Sequence, residues 1–220
     1  MSKAILLSIR PEHALNILEG KKTLELRKRV PKDFKGWVYL YVTKAKPYLL
    51  WEEDYIGGHY VSHRWTFLHG YSKEEAYEIW GSAYENEDTY IGIVNGFVIA
   101  RFWFEEYDKY TDVSDCGMTS CGMECENDFT YKLYDLDDEL EKLCLTYNEV
   151  YLYGQGKDLY AWHIKKLEIF DEPMDLNEFK TIYKTKISSY ENGIKSTEKY
   201  GVKFSVTKAP QNYMYVEVEE

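Results

Sequence analysis

Apolar and polar positions change period several times along the chain, and each change marks an element. Residues 4–10, AILLSIR, make a short apolar run that reads as a buried strand. Behind it Pro11 suits a first helical position, Ala14, Ile17 and Leu18 repeat at i, i+3 and i+4, and Gly20 suits a left-handed cap. This predicts a helix over 11–19. TLELR then alternates, with Leu24 and Leu26 on one face and Thr23, Glu25 and Arg27 on the other. Pro31 and Gly36 bracket a turn before a third strand, WVYLYVT, at 37–43. From Pro47 to Asn95 the period is lost in an aromatic, polar stretch whose clear element is a helix over 72–85, with Ser72 and Glu75 as a capping box. NGFVIARFWF, at 95–104, predicts a strand entered through an Asn-Gly turn. Two helical pieces follow, 137–144 and 147–153, the second capped by Thr146. AWHIKKLEIF at 161–170 is strand-like, 171–200 reads as a polar connector with a helix near 177–183, and NYMYVEV at 212–218 is a last strand.

Five or six short strands, a helix after the first and further helices inserted later predict an α+β chain built on a small mixed β-barrel. No glycine-rich loop follows a strand, which argues against a doubly wound nucleotide fold. The 220 residues, 45% hydrophobic and 17% aromatic, can bury a sizeable core. One domain is expected, with an insertion at 47–94, a helical excursion at 111–155 and a C-terminal extension at 171–220. No run of eighteen apolar residues and no signal-peptide pattern occur, so the expectation is a soluble, cytoplasmic protein without membrane partners.

Charge sharpens this picture. The net charge is −11, yet residues 1–46 carry 11 basic against 4 acidic residues, or +7, while the other 174 carry 16 basic and 34 acidic, or −18. A local anion site on an acidic body follows. Beyond a Debye length of about 8 Å such a body repels phosphates, so a small or single-stranded ligand is expected rather than long duplex DNA. The basic cluster is ILEGKKTLELRKR, residues 17–29. Within it Arg27 can clamp a phosphate or carboxylate, Lys22 supplies a point charge, and Glu25 can accept from the amino edge of a base. Lys21 and Lys28 flank them. The alternative is a solvated strand with an ordinary Glu/Lys pair.

These residues, in the run LLSIRPEHALNILEGKKTLELRKR, together with VYLYVTK, NGFVIARF, the block LCLTYNEVYLYGQGKDLYAWHIKKLEIFDEPMDLNEF and KAPQNYMYVE, resemble the ASCH domains of the PUA-like superfamily, in the long forms of bacteria and phages. Gly20, Lys22, Glu25 and Arg27 fall at that family's Gly-x-Lys-x-x-x-x-Arg spacing. The resemblance implies a PUA-like barrel with a cleft beside the first helix and a role connected with RNA, a nucleotide or a modified nucleoside. Some short members are amidohydrolases of N4-acetylcytidine that use a lysine, a threonine and a glutamate. Lys22 matches the lysine, but Glu25 stands where the threonine would, and Glu139 or Glu141 is the nearest counterpart of the glutamate. Glu25 as base and Lys22 as polarising cation would still permit amide hydrolysis. Three functions therefore stand open: a binding module, such a hydrolase, or a protein-interaction scaffold without catalysis.

Cys116, Cys121, Cys125 and Cys144 are the only cysteines, three of them in a glycine-containing loop. They are either a structural zinc site, without the paired Cys-x-x-Cys knuckles usual for one, or reduced and metal-free. No other cofactor is expected. His59, His63 and His69 cluster without an acidic partner at metal spacing, and His163 is expected to point inward, as a satisfied core histidine or a donor near Arg27. Trp37, Tyr39, Tyr41, Trp103 and Trp162 are expected in the core. Trp51, Tyr60 and Trp65 are read either as stacking platforms for bases or as the insertion's own small core.

Overall fold

A parallel pair of strands sets the frame. β1 (Ser2–Ile9) and β3 (Gly36–Val42) pair from Ile5 opposite Val38 to Ile9 opposite Val42. Parallel neighbours need a crossover. Here it is α1 (Pro11–Leu18), with Pro11 at its first position, followed by β2 (Leu24–Arg27). The computed structural model describes residues 2–56, 59–68, 72, 74–75, 89–110, 136–191 and 194–218. The later elements are β4 (Tyr48–Ile56), β5 (His59–Leu68), β6 (Thr89–Ile93), β7 (Val98–Phe104) and β8 (Tyr107–Tyr110). Two helices follow, α2 (Leu136–Leu143) and α3 (Tyr147–Gly154). Then come β9 (Leu159–His163), β10 (Lys165–Met174), a 3-10 turn (Leu176–Glu178), β11 (Lys180–Glu191), β12 (Ile194–Ser205) and β13 (Tyr213–Val218).

The main sheet has seven strands in the order β10-β7-β3-β1-β13-β11-β12, beside two three-stranded sheets, β2-β9-β8 and β5-β4-β6. The expected α+β class holds, with mixed sheets and short helices. The small mixed β-barrel is not shown as closed among the described residues: β10 and β12 end the main sheet, and no strand pairing joins them there. One face of the sheet buries Ile5, Leu7, Ile9, Val38, Leu40 and Phe102 against α1 and Trp162. The other buries Leu6, Tyr39, Tyr41 and Val216 around Phe179. A third cluster joins Leu24 and Leu26 of β2 to Leu143 of α2 and Val150 of α3.

Several expectations change here. The stretch 47–94 contains the strands β4, β5 and β6, whose acidic and aromatic residues obscured their alternation. Leu49 and Trp51 are buried in the main core, and Trp51 stacks on Trp65 with ring centroids 6.0 Å apart, so these two tryptophans pack. Most of the predicted helix over 72–85 lies outside the described residues, although both capping-box bonds between Ser72 and Glu75 are present, at 2.6 and 3.1 Å. The segment 161–170 is two strands, because the chain changes sheet at Ile164, whose N–H donates to Thr23 O at 2.9 Å. The helix near 177–183 is replaced by the 3-10 turn and the start of β11. Phe179, fully buried, anchors the exit from the turn, and the β-branched and aromatic alternation after it extends the chain.

Candidate functional site

The turn after α1 places the first site residue. Gly20 takes a φ of +71°, open to glycine at little cost, and the Lys22 N–H donates to Asn16 O at 2.8 Å. Lys22 is thereby turned inward and is only 2% exposed. Its Nζ donates to Leu143 O at the end of α2, at 2.5 Å, and stands 3.4 Å from Glu25 Oε2. Period 2 then puts Glu25 and Arg27 on one face of β2, opposite Trp162 and Tyr160 of β9. That face looks toward the main core, while Leu24 and Leu26 pack on the helices, so both faces of β2 are covered. Glu25 is 4% and Arg27 9% exposed.

Arg27 Nη2 lies 2.8 Å from Glu25 Oε1 and donates to Ser8 O at 2.7 Å, and Nη1 donates to Asn212 Oδ1 at 3.3 Å. The guanidinium therefore ties β2 to the end of β1 and to the residue preceding β13. Burial pushes the Glu25 carboxyl up, but the charges of Arg27 and Lys22 outweigh it and hold the group below its ordinary range. Glu25 is thus a firm acceptor and a weak base.

Lys22, Glu25 and Arg27 line one wall of a cavity of about 510 Å³, within the range of small-molecule sites. His13 of α1 also lines it, as does Thr43, which continues β3 by donating its N–H to Ile9 O at 2.8 Å. Leu152 and Tyr153 of α3 form a rim, 59% and 37% exposed. Four wall residues hold a buried polar atom without a hydrogen-bond partner: Glu25 Oε2, Arg27 Nε, His13 Nδ1 and Thr43 Oγ1. Such atoms are rare in folded proteins and mark a wall that water or a polar ligand completes. Glu149 also lines the cavity, but its carboxylate is committed to capping α3, accepting from the Thr146 N–H and hydroxyl at 2.7 Å.

Of the basic residues expected here, Lys21 and Lys28 are not brought to the cavity wall. Lys21 pairs with Glu19 at 2.7 Å in solvent, and Lys28 Nζ sits over the Tyr153 ring, 4.9 Å from its centroid. Glu139 accepts from the Tyr110 hydroxyl, and neither it nor Glu141 lines the cavity. His163 does not point inward. At the end of β9 the alternation buries Trp162 and leaves His163 half-exposed, with Nε2 2.7 Å from Asp108 and Nδ1 3.5 Å from Glu106. Cys116, Cys121 and Cys125 lie outside the described residues, as do His69 and the side chain of His63. Cys144 is a free, half-buried thiol after α2. Among the described residues no group of three His, Cys, Asp or Glu side chains could hold a metal.

His13 and Thr43 escaped the sequence reading, because each is a single polar residue where its element ends or turns, without periodic company. The signal was topological: parallel β1 and β3 bring their C-terminal ends, and hence the start of α1 and Thr43, to one place. Burial lowers the His13 pKa from 6.5, with Glu25 opposing and Lys22 reinforcing, and Glu12 and Arg10 acting more weakly in opposite senses. Folded-state values below the unfolded ones mean stability that is full above the unfolded pKa and lost as pH falls. Thermal unfolding followed by circular dichroism is expected to show two acid losses, the first below about 6.5 from His13 and the second below about 4.5 from Glu25. His13→Gln is expected to remove the first and keep the second.

The fold and site together define an α+β protein with a buried ion-paired wall facing a small, largely apolar cavity that carries a few unpartnered polar atoms. No family model matches the chain, and no curated protein matches it significantly. Among solved structures, the crystal structure of ASCH from Zymomonas mobilis is similar at 15% identity, covering 79% of this chain and 73% of that one, with a TM-score of 0.40. Two single-substitution mutants of that protein give TM-scores of 0.42 and 0.41 at the same identity. The overlap is loose, and the chemistry of the site is that of this chain's own residues.

Proposed function

We propose that the cavity binds the base of a nucleoside, a nucleotide or an unpaired RNA residue, through an edge that carries an amino group. The under-satisfied wall carries this reading: an ionised Glu25 offers only acceptor oxygens, whereas His13 and the Thr43 hydroxyl can each donate or accept. A cytosine or adenine edge, with an amino donor beside a ring-nitrogen acceptor, supplies both partners. Tyr153 at the rim offers an aromatic face for stacking, and the resemblance of the sequence blocks to ASCH domains supports the same ligand class. Arg10, exposed at the mouth, is the cation best placed for a phosphate.

Calorimetry with cytidine and uridine tests the proposal. Cytidine is expected to bind at least about tenfold more tightly, because uridine turns a carbonyl toward Glu25 and leaves Oε2 without a hydrogen-bond donor. His13→Ala and Thr43→Val are each expected to weaken cytidine binding by about 0.5–1.5 kcal/mol. Equal affinity for the two nucleosides, or none for either, would end this reading. The carboxyl of Glu25, held below its ordinary range, also favours binding over base catalysis. N4-acetylcytidine is accordingly expected to survive incubation, and release of cytidine that disappears in Glu25→Gln would replace the binding reading by the hydrolase one.

A further inference from the structure

The loop that joins β2 to β3 lies along β13, and it starts at the cavity. Arg27, at the end of β2, holds Asn212 through Nη1 at 3.3 Å, and both Arg27 and Gln211 line the cavity. At the other end of the loop Phe34 packs edge-to-face on Tyr215, with ring centroids 5.8 Å apart. Between these ties, burial and Tyr215 raise the Tyr213 hydroxyl pKa, while Arg29 is close enough to pull it down. Tyr213 and Tyr215 share a face of β13 and stand about 7 Å apart along it. The first is half-buried and the second 38% exposed.

Cations and rings alternate along this strip. Lys28 Nζ sits over Tyr153 at the cavity rim, 4.9 Å from its centroid, Arg29 stands by Tyr213, and Lys3 Nζ sits over Tyr215 at 4.2 Å. Lys32 is exposed in the loop itself, whose one acidic residue, Asp33, acts on Tyr215 at the far end. An ordinary solvated face on this chain looks different. Elsewhere the acidic body neutralises exposed basic residues: Lys21 pairs with Glu19, Lys109 with Asp158, and Lys165 with Glu105 and Glu106. Among the described residues, none of Lys3, Lys28, Arg29 and Lys32 has an ion-pair partner. Four such cations gathered on one strip repel one another, and an anion that follows the strip relieves them.

We propose that this strip carries the phosphodiester backbone of a single-stranded nucleic acid whose base occupies the cavity, so that the partner is a strand rather than a free nucleoside. The assignment rests on the base-binding reading of the cavity. Cations along a strip hold phosphates without reading sequence, and partly exposed tyrosines offer faces on which successive bases stack. A duplex keeps its bases paired and stacked, so it cannot fill cavity and strip together without extruding one.

The test is fluorescence anisotropy of labelled oligocytidine, oligouridine and a duplex over about 50–200 mM salt, beside calorimetry with cytidine. Phosphates held by Lys3, Arg29 and Lys32 contribute about −2.1 to the slope of log K against log salt for a single strand. Lys3→Gln, Arg29→Gln and Lys32→Gln combined are expected to weaken oligocytidine binding at least about tenfold and to flatten the slope by that amount, with cytidine affinity unchanged. Arg64→Gln, Lys109→Gln and Lys165→Gln combined remove the same charge from ion-paired positions and are expected to leave the slope as it is. Strand binding that survives in the strip variant overturns the proposal, and a cytidine preference kept there leaves the cavity reading standing alone. Equal binding of oligocytidine and oligouridine, both lost in the strip variant, overturns the base reading instead. Duplex binding as tight as single-strand binding, or binding to phosphatidylserine vesicles with none to oligonucleotides, also overturns the proposal.

Discussion

Replacing Glu25 by alanine is expected to cost about 3–5 kcal/mol of folding stability, the loss typical when one partner of a buried ion pair is removed. Glu25 lies 2.8 Å from the Arg27 guanidinium and 3.4 Å from Lys22 Nζ, and none of the three is more than 9% exposed. Without the carboxylate, two cations face each other in a wall that water barely reaches, and the removed side chain leaves space between them. For a chain of this size the loss corresponds to a fall in Tm of roughly 6–20 °C. Urea unfolding at pH 7 gives the measurement, with the midpoint shifted and the slope unchanged. Glu25→Gln preserves the shape and removes only the charge, so the difference between the two variants isolates the electrostatic part. A loss below about 1 kcal/mol in both would mean that Lys22 and Arg27 reach solvent and that the wall is not closed.

That triad was visible in the sequence as a spacing, and its orientation was not. The period change from AILLSIR to the helix and on to TLELR located β1, α1 and β2, and placed Lys22, Glu25 and Arg27 together. The alternation of TLELR suggested a polar row at a surface or cleft beside a core of leucines. In the structure the leucines meet α2 and α3, supplied by residues more than a hundred positions later, and the charged row meets Trp162 and the main sheet. A four-residue strand covered on both faces has no distinctive pattern, because its burial is decided by distant partners. The same holds for His13 and Thr43, which meet only because β1 and β3 run parallel. The β11–β12 ribbon was missed for a different reason. Its alternation is between lysine and threonine, serine or tyrosine rather than between apolar and polar residues, so it reads as connector. The Asn-Gly pair between two β-branched runs was the available hairpin signal.

Arg27→Ala separates the two roles that a buried arginine beside a cavity can have. As a ligand clamp it would be dispensable for folding, and its loss would fall on anion affinity. Its bonds argue otherwise: Nη2 is shared between Glu25 and Ser8 O, and Nη1 reaches Asn212, so both terminal nitrogens join β2 to β1 and to the chain entering β13, and Nε alone is left without a partner. The variant is expected to lose about 3 kcal/mol of stability, from a carboxylate left with Lys22 alone and a carbonyl left without its donor. A second signature follows from charge. Arg27 is the largest influence holding the Glu25 carboxyl down against burial, so its removal lets that pKa rise toward the unfolded value or beyond. Stability that Glu25 contributes above its unfolded pKa then shrinks, and acid unfolding begins at higher pH than in the wild type. Arg27→Lys restores a point charge near Glu25 but cannot span Ser8 O and Asn212 together, so it recovers the pH midpoint better than the stability. Unchanged stability with abolished nucleotide binding in Arg27→Ala would instead make the guanidinium an anion clamp and shift the phosphate from Arg10 to the interior of the cavity.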